Sequence, residues 1–186
     1  MTIQARWTTE LLAQMPQVEG ERYEIIDGEL YVTSQPHHRH QATSGNIDAA
    51  LDTWSHATGA GRPYPAPGVI FSEDTAVAPD VVWVRAARLG DLLGDDGKLH
   101  GAPDLVVEVL SPGKVNEERV RERKLRLYDR RGVCEYWIAD WRARTVEVSR
   151  RQGDALAALT VLGEGDVLES PLLPELSAAV AGFFTS

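Results

Sequence analysis

The chain has 186 residues, 43% of them hydrophobic, with one cysteine (Cys134) and a formal net charge of −9. This length and apolar content favour one globular domain spanning residues 1–186, and a single cysteine excludes an internal disulfide. No segment has the apolar length of a signal peptide or a transmembrane helix, so we expect a cytoplasmic protein with no membrane partner. The acidic charge argues against a protein that coats DNA, because such surfaces are usually basic.

The charge is unevenly distributed along the chain. Residues 114–151 contain twelve of the nineteen Lys and Arg residues and seven acids, so this segment carries +5 and the remainder −14. A basic strip on an acidic body is compatible with local contact to a phosphate backbone. A solvated, arginine-rich helix face explains the same charge equally well.

Sequence patterns in the first half of the chain predict a short helix, a β-hairpin, a long helix and a loop, at residues 8–15, 23–32, 40–56 and 61–68. The Asp27-Gly28 pair between two apolar segments is the strongest short hairpin signal. In the long helix, Ile47 and Leu51 recur at helical spacing. The loop is inferred from its Pro and Gly content.

The second half is predicted to combine strands with one long helix. We expect strands at residues 69–72, 81–84, 105–110, 134–139, 145–149 and 157–162, and helices at 116–131 and from about residue 177. The Gly- and Asp-rich residues 90–101 are expected to form a loop. The predicted fold class is therefore α/β in the broad α+β sense, a mixed central β-sheet flanked by helices, with one crossover helix.

Two of the apolar strands carry an acidic residue. Asp80 opens one strand in a Pro-Asp pair, and Glu108 lies in the middle of the 105–110 run. A buried carboxylate is costly unless a charge or a hydrogen bond compensates it. If the two strands pair, Asp80 and Glu108 converge and can bind a divalent metal ion. The alternative is that these acids are capping or edge carboxylates.

A lysine occupies the middle of the apolar face of the 116–131 helix. Val120, Leu127 and Tyr128 lie four positions before and three and four positions after Lys124, so the four side chains share one face. A lysine in a packing face either extends to the surface or meets a buried anion. Beside Glu108, its ammonium would lie where a scissile phosphate binds. We expect Lys124→Ala to remove activity and leave stability unchanged or slightly raised.

Three further residues are accessory candidates. Asp104 shares a strand face with Glu108 but lies about 13 Å from it, so we expect a turn residue or an accessory acid there. Glu24 would extend the acid cluster if it points into the sheet, and otherwise makes a cross-strand pair. His40 falls on the inward face of its helix, where it either touches the acids or the substrate, or is a core residue.

Five segments form a specific pattern when they are taken together and in order: residues 22–30, the region around His40, residues 102–112, Lys124 with Tyr128, and residues 132–140. They resemble the Uma-two family, restriction-endonuclease-like proteins of the PD-(D/E)XK nuclease superfamily. The resemblance covers nearly the whole chain.

This resemblance implies a restriction endonuclease-like core with a Mg²⁺-dependent nuclease site, in which Mn²⁺ can substitute. Asp80 and Glu108 match the two acids of the motif and are the implied metal ligands. Leu110 stands where the motif lysine is expected. In this family the lysine is thought to have moved to the following helix, which matches Lys124, whereas Lys114 lies in a Ser-Pro-Gly loop and is a poorer candidate.

The sequence therefore predicts a metal-dependent endonuclease that hydrolyses DNA, with Asp80, Glu108 and Lys124 as catalytic residues. The arginines of the same helix are expected to hold backbone phosphates of the DNA: Arg119, Arg123 and Arg126. By analogy we expect a homodimer, because two DNA strands need two sites. The alternative is a catalytically inactive nucleic-acid-binding or assembly module on the same fold.

Overall fold

The computed structural model describes residues 6–16 and 18–185. It contains two β-sheets, a small β-hairpin, two long helical segments and several short helices. Its strands are β1 (Glu21–Ile26), β2 (Glu29–Ser34), β3 (Gly61–Pro65), β4 (Val69–Ser72), β5 (Thr75–Val77), β6 (Val81–Arg85), β7 (Leu99–His100), β8 (Leu105–Val109), β9 (Glu135–Asp140), β10 (Thr145–Gln152), β11 (Ala155–Gly163), β12 (Val167–Ser170) and β13 (Leu173–Ala179). Its α-helices are α1 (Thr9–Gln14), α2 (His38–Thr58), α3 (Leu89–Leu92), α4 (Lys114–Glu118), α5 (Leu125–Arg131) and α6 (Val180–Phe183).

The larger sheet has six strands in the order β11-β10-β9-β8-β6-β3. Only its β8–β9 pair is parallel, and its other pairs are antiparallel. The second sheet has the order β2-β1-β5-β4-β7, and β12 pairs with β13. The predicted mixed sheet flanked by helices is confirmed.

One helical segment connects the parallel strands β8 and β9, as parallel pairing requires. It consists of α4, a π-helical turn over Arg119–Lys124, and α5, which follow one another without interruption. It ends before Gly132, whose φ of 84° is the left-handed conformation that glycine adopts without strain. We call residues 114–131 the basic helix, and it corresponds to the predicted helix 116–131.

The six-stranded sheet is covered on both faces. Its first face packs Trp83 and Val107 against Ile47 of α2. Its second face packs Val106 against Tyr128 of the basic helix and against the second sheet. Side chains alternate between the faces of a strand, so Glu108 lies on the second face, beneath the basic helix.

The β1–β2 hairpin turns at the predicted position. Asp27 and Gly28 have φ values of 52° and 82°. Positive φ at both central residues is the hairpin turn that an Asp-Gly pair favours. This turn aligns β1 with β2 over Glu21–Ile26 and Glu29–Ser34.

Three of the predicted segments differ in the structure. Residues 61–65 form β3 rather than a loop, because β3 is an edge strand of the six-stranded sheet and an edge tolerates proline. Residues 90–101 contain most of α3 and all of β7. The helix predicted from residue 177 begins at Val180, because residues up to 179 pair with β12. Of the helices in the described part of the chain, none combines the length and the hydropathy needed to span a bilayer.

Candidate active site

The strands that carry the two predicted acids are neighbours. In the antiparallel β6–β8 pair, Val81 faces Val107 and Val82 faces Val106. Continuing this register by one residue brings Asp80 beside Glu108. Both carboxylates are buried, with 4% and 3% of their surface exposed. The strand pairing on which their convergence depends is therefore confirmed.

Lys124 points inward from the basic helix, as its place on the apolar face predicts. Its Nζ donates to Oε1 of Glu108 at 2.8 Å and to Oε1 of Glu24 at 2.7 Å. The Tyr128 hydroxyl, one turn further along, also donates to Oε1 of Glu108 at 2.8 Å. These donors converge on Oε1, so Oε2 of Glu108 is the oxygen left for another ligand.

Asp80 is held by groups from three elements. Its Oδ2 accepts a hydrogen bond from the backbone N–H of Val109 at 2.8 Å, and its Oδ1 accepts one from Arg22 at 3.1 Å. Nε2 of His40, in the first turn of α2, lies 3.4 Å from Oδ2. Nδ1 of His40 is buried without a hydrogen-bond partner among residues 6–16 and 18–185. The orientation of the Asp80 carboxylate is thus fixed by its surroundings.

Glu24 completes the cluster from the second sheet. Its side chain is 2% exposed, and its Oε1 accepts from the backbone N–H of Ala78 at 2.9 Å as well as from Lys124. The structure therefore places Glu24 in the acid cluster rather than in a simple cross-strand pair.

The protonation of the cluster follows from its burial. Burial is the largest cause that raises the pKa of Glu108, to about 7; the charges of Asp80 and Glu24 act in the same direction, and Lys124 opposes them. Burial alone would lower the pKa of Lys124, but Glu108 and Glu24 raise it, so the side chain stays an ammonium. Burial would also raise the pKa of Asp80, but His40, Arg22 and the N–H of Val109 hold it below its usual value.

A cavity of about 220 Å³ opens onto this cluster. We call it the acidic cavity, and its lining includes Arg22, Glu24, His40, Asp80, Glu108, Arg119 and Lys124. In the chain as described, no three His, Cys, Asp or Glu side chains are arranged to hold a metal by themselves. One or two carboxylates with water in the remaining positions is the arrangement that Mg²⁺ commonly uses. Asp80 and Glu108 supply two carboxylates of this kind at the cavity.

Several predicted residues lie outside the cavity lining. Asp104 accepts from the backbone N–H of Arg85 at 3.0 Å and pairs with Arg88 at 2.9 Å, at the opposite end of β8. It therefore does not join the cluster, in keeping with its interpretation as a turn residue. Arg123 pairs with Glu29 and contacts the Tyr31 hydroxyl.

The other cations of the basic helix that were considered in the sequence differ in whether they reach the acidic cavity. Arg126 pairs with Glu122 at 2.9 Å, outside the lining of the cavity. Lys114 is 88% exposed and lies 3.7 Å from Glu118. Arg119 alone among the three predicted phosphate-binding arginines lines the acidic cavity.

Two functional candidates were missed in the sequence. Arg22 lies two residues before Glu24 on β1, so the alternation of a strand puts both on one face. This spacing could have identified Arg22 as a neighbour of the acid cluster. Tyr128 was identified as an apolar face residue, but no sequence pattern shows that its hydroxyl meets Glu108.

The comparisons with known proteins agree with this architecture. No curated protein matches the chain. A putative nuclease belonging to DUF820 from Anabaena variabilis ATCC 29413 has a similar crystal structure, with a TM-score of 0.76 and 19% sequence identity, over 95% of this chain and 97% of that one. This likeness confirms the fold. The sequence model of the Uma2 family, described as "Putative restriction endonuclease", matches residues 9–181, and the chain therefore belongs to that family.

Proposed function

We propose that this protein is a divalent-metal-dependent nuclease that hydrolyses DNA phosphodiester bonds in the acidic cavity. The observation that carries the proposal is the contact of Lys124 with Glu108 at 2.8 Å beside Asp80, all three of which line one cavity. A lysine and two acids in one cavity can bind a cation and a phosphate together. Membership of the Uma2 family supports the same class of reaction.

Asp80 and Glu108 would hold the ion, which is Mg²⁺ or, as a substitute, Mn²⁺. When bound, the ion would lower the pKa of a water molecule and offset negative charge on the phosphate. The N–H of Val109 and the guanidinium of Arg22 keep the Asp80 carboxylate oriented toward the cavity. Tyr128 fixes Glu108 through Oε1.

Lys124 supplies a fixed positive charge. Two of its three N–H groups are used by Glu24 and Glu108, so the third can donate to a phosphate oxygen or to the attacking water. Because its pKa is raised, Lys124 acts as a donor and a charge rather than as a general base. Such a preformed donor stabilises charge that develops in the transition state.

Arg119 would bind a phosphate next to the scissile one. Its side chain lines the cavity, and its Nε is buried without a hydrogen-bond partner in the described residues. Its guanidinium lies 5.4 Å from the centre of the Tyr31 ring, which limits its motion. A phosphate contact of this kind positions the strand without specifying its sequence.

Cleavage assays on the purified protein test the proposal. Linear duplex and circular single-stranded DNA are incubated with Mg²⁺, with Mn²⁺ or with EDTA. We expect cleavage of at least one DNA form only with a divalent ion, and a loss of about 100-fold or more in Asp80→Asn and Glu108→Gln. The matched control is Glu135→Gln, because Glu135 is as buried as Glu108 but lies outside the cavity lining. DNA binding without cleavage under any divalent ion would instead indicate the inactive binding module.

A further inference from the structure

We propose that the DNA accepted by this site is an unpaired strand, one base of which stacks on a platform of three rings: His38, His37 and Trp141. This inference rests on the proposed nuclease function and specifies its substrate. It follows from the geometry of the rings, from the closeness of His37 in the chain to Pro36 and His40, which line the acidic cavity, and from the depth of the two acids.

Two of the three rings are stacked, and the third lies tilted beside them. The rings of His37 and Trp141 are nearly parallel, at 7°, with their centroids 4.9 Å apart. The ring of His38 follows, 4.2 Å from His37 and tilted by 34°. Both histidines are exposed, whereas Trp141 is partly buried against the core. The outer ring can therefore receive another flat group, as aromatic side chains receive bases of single-stranded DNA.

The two stacked rings, His37 and Trp141, are held in place by hydrogen bonds. Nδ1 of His37 accepts from the backbone N–H of Arg39 at 3.1 Å, which makes His37 the cap of α2. Nε1 of Trp141 donates to the carbonyl of Leu110 at 3.1 Å. Rings that are already ordered lose little conformational entropy when a ligand stacks on them.

The same two anchors tie the platform to the catalytic candidates. His37 lies three residues before His40, about 4.5 Å along the helix axis. Leu110 lies two residues after Glu108, about 7 Å along the strand. Successive nucleotides in a DNA strand are about 3.4 Å apart along a duplex and further apart when extended. A base on the platform is therefore one or a few nucleotides from a phosphate in the acidic cavity.

The cavity itself favours a flexible strand. Asp80 and Glu108 are 4% and 3% exposed at a cavity of about 220 Å³, so a phosphate must enter to reach them. An unpaired strand can bend inward and turn a base outward, whereas a duplex keeps its bases in the stack. The neighbouring Arg123 and Arg130 pair with Glu29 and Asp27 of the hairpin, so they do not form a free basic track for a second strand.

Fluorescence anisotropy with a labelled oligonucleotide of about 20 nucleotides tests the platform, in EDTA so that binding is separated from cleavage. The probes are the single strand, its duplex, and a single strand of the same length with abasic sites in place of bases. We expect the single strand to bind more tightly than the duplex. We expect abasic substitution to weaken binding by about 5- to 150-fold, the range of one stacked base.

The variants are His37→Asn with His38→Ala, and His38→Ala alone. Asparagine at position 37 keeps an acceptor for the cap. The matched control is His56→Ala, an exposed histidine at the other end of α2. We expect the double variant to lose the preference for bases over abasic sites, and His56→Ala to retain it.

Equal affinity for the normal and abasic strands in the wild-type protein would overturn the platform. So would an unchanged preference in His38→Ala and in the folded double variant. The comparison with the abasic strand uses the wild-type protein, so it tests the platform even if the double variant fails to fold. Failure of the nuclease proposal is read separately, as no cleavage of any DNA with Mg²⁺ or Mn²⁺.

Discussion

The ammonium of Lys124 donates to Oε1 of Glu108 across 2.8 Å, although the two residues lie 16 positions apart on a helix and a central strand. Glu24, from a different sheet, takes a second hydrogen bond from the same nitrogen. One cation therefore joins three elements and compensates two buried carboxylates. Its removal should affect stability as well as activity.

We expect Lys124→Met to abolish cleavage and to lower the free energy of unfolding by about 3 to 5 kcal/mol at pH 8, because two buried carboxylates lose their common partner. This replaces the small effect on stability expected from the sequence, where only one anion was considered. At pH 5 the loss should be smaller, since protonation neutralises Glu108. Urea denaturation at the two pH values measures both losses.

The control is Lys114→Ala in the same helical segment. Lys114 is 88% exposed, so its removal should change neither stability nor cleavage by a measurable amount. Full activity in Lys124→Met together with loss of activity in Lys114→Ala would transfer the catalytic role to Lys114.

The stability of the protein should fall as pH rises from about 4.5 to about 7. Burial raises the pKa of Glu108 to about 7 in the folded state, from 4.5 as its ordinary value. The folded state therefore binds more protons than the unfolded chain within this window, and this titration lowers the free energy of unfolding by about 3 kcal/mol as pH rises. The pKa of Asp80 is lowered, so its contribution to the stability is lost only when the pH falls below this window.

Glu108→Gln should remove this part of the pH dependence. The difference between the wild-type and variant free energies of unfolding, measured in urea at half-unit steps from pH 4.5 to 8, isolates the contribution of Glu108. A difference that stays constant across the window would mean that Glu108 keeps an ordinary pKa.

A divalent ion should stabilise the folded protein. Ligands that bind only the native state raise its stability, by about 2.7 kcal/mol at 100 times the Kd. We expect Mn²⁺ to raise the Tm of the wild-type protein and of Glu135→Gln, but not of Asp80→Asn. A crystal soaked with Mn²⁺ should show the Asp80 and Glu108 carboxylates about 4 to 5 Å apart across the ion. An equal Tm shift in all three proteins would place the ion elsewhere.

Among the arginines of the basic helix, Arg119 should contribute most to DNA binding. It lines the acidic cavity, whereas Arg126 pairs with Glu122 outside its lining. Arg119→Ala should therefore reduce the slope of log K against log salt concentration by about 1, the effect of one lost phosphate contact. Filter binding over a salt series measures the slope, with Arg126→Ala as the matched control. Equal slopes for the two variants would refute the distinction.

The burial of Glu108 and Lys124 could be predicted because its sequence signals are local. Glu108 interrupts an apolar strand, and Lys124 interrupts an apolar helix face, so each sequence pattern already indicates a buried charge. The partners of these charges depend on tertiary structure. Arg22 and Glu24 belong to a second sheet, and the periodicity of the sequence does not predict how the two sheets pack against each other.

The misassigned segments have physical causes of the same kind. Pro63 and Pro65 indicate a loop, but β3 lies at a sheet edge where a missing N–H costs nothing. Residues 177–179 include Ala178 and Ala179, which suit a helix, yet this segment pairs with β12. In both segments tertiary pairing outweighs local propensity.

The π-helical turn over Arg119–Lys124 has an implication for how this site can be lost. Each residue turns an α-helix by about 100°, and a π turn holds one residue more than an α turn. Deleting one residue of the turn, such as Glu122, would restore a regular helix and rotate everything before the deletion relative to α5. If the part of the helix after the deletion rotates, Lys124 moves away from the acids. If the part before it rotates, Arg119 moves out of the cavity. The chemistry of this helix therefore depends on its length as much as on its composition, and a single-codon deletion could silence the protein with every proposed catalytic residue still present.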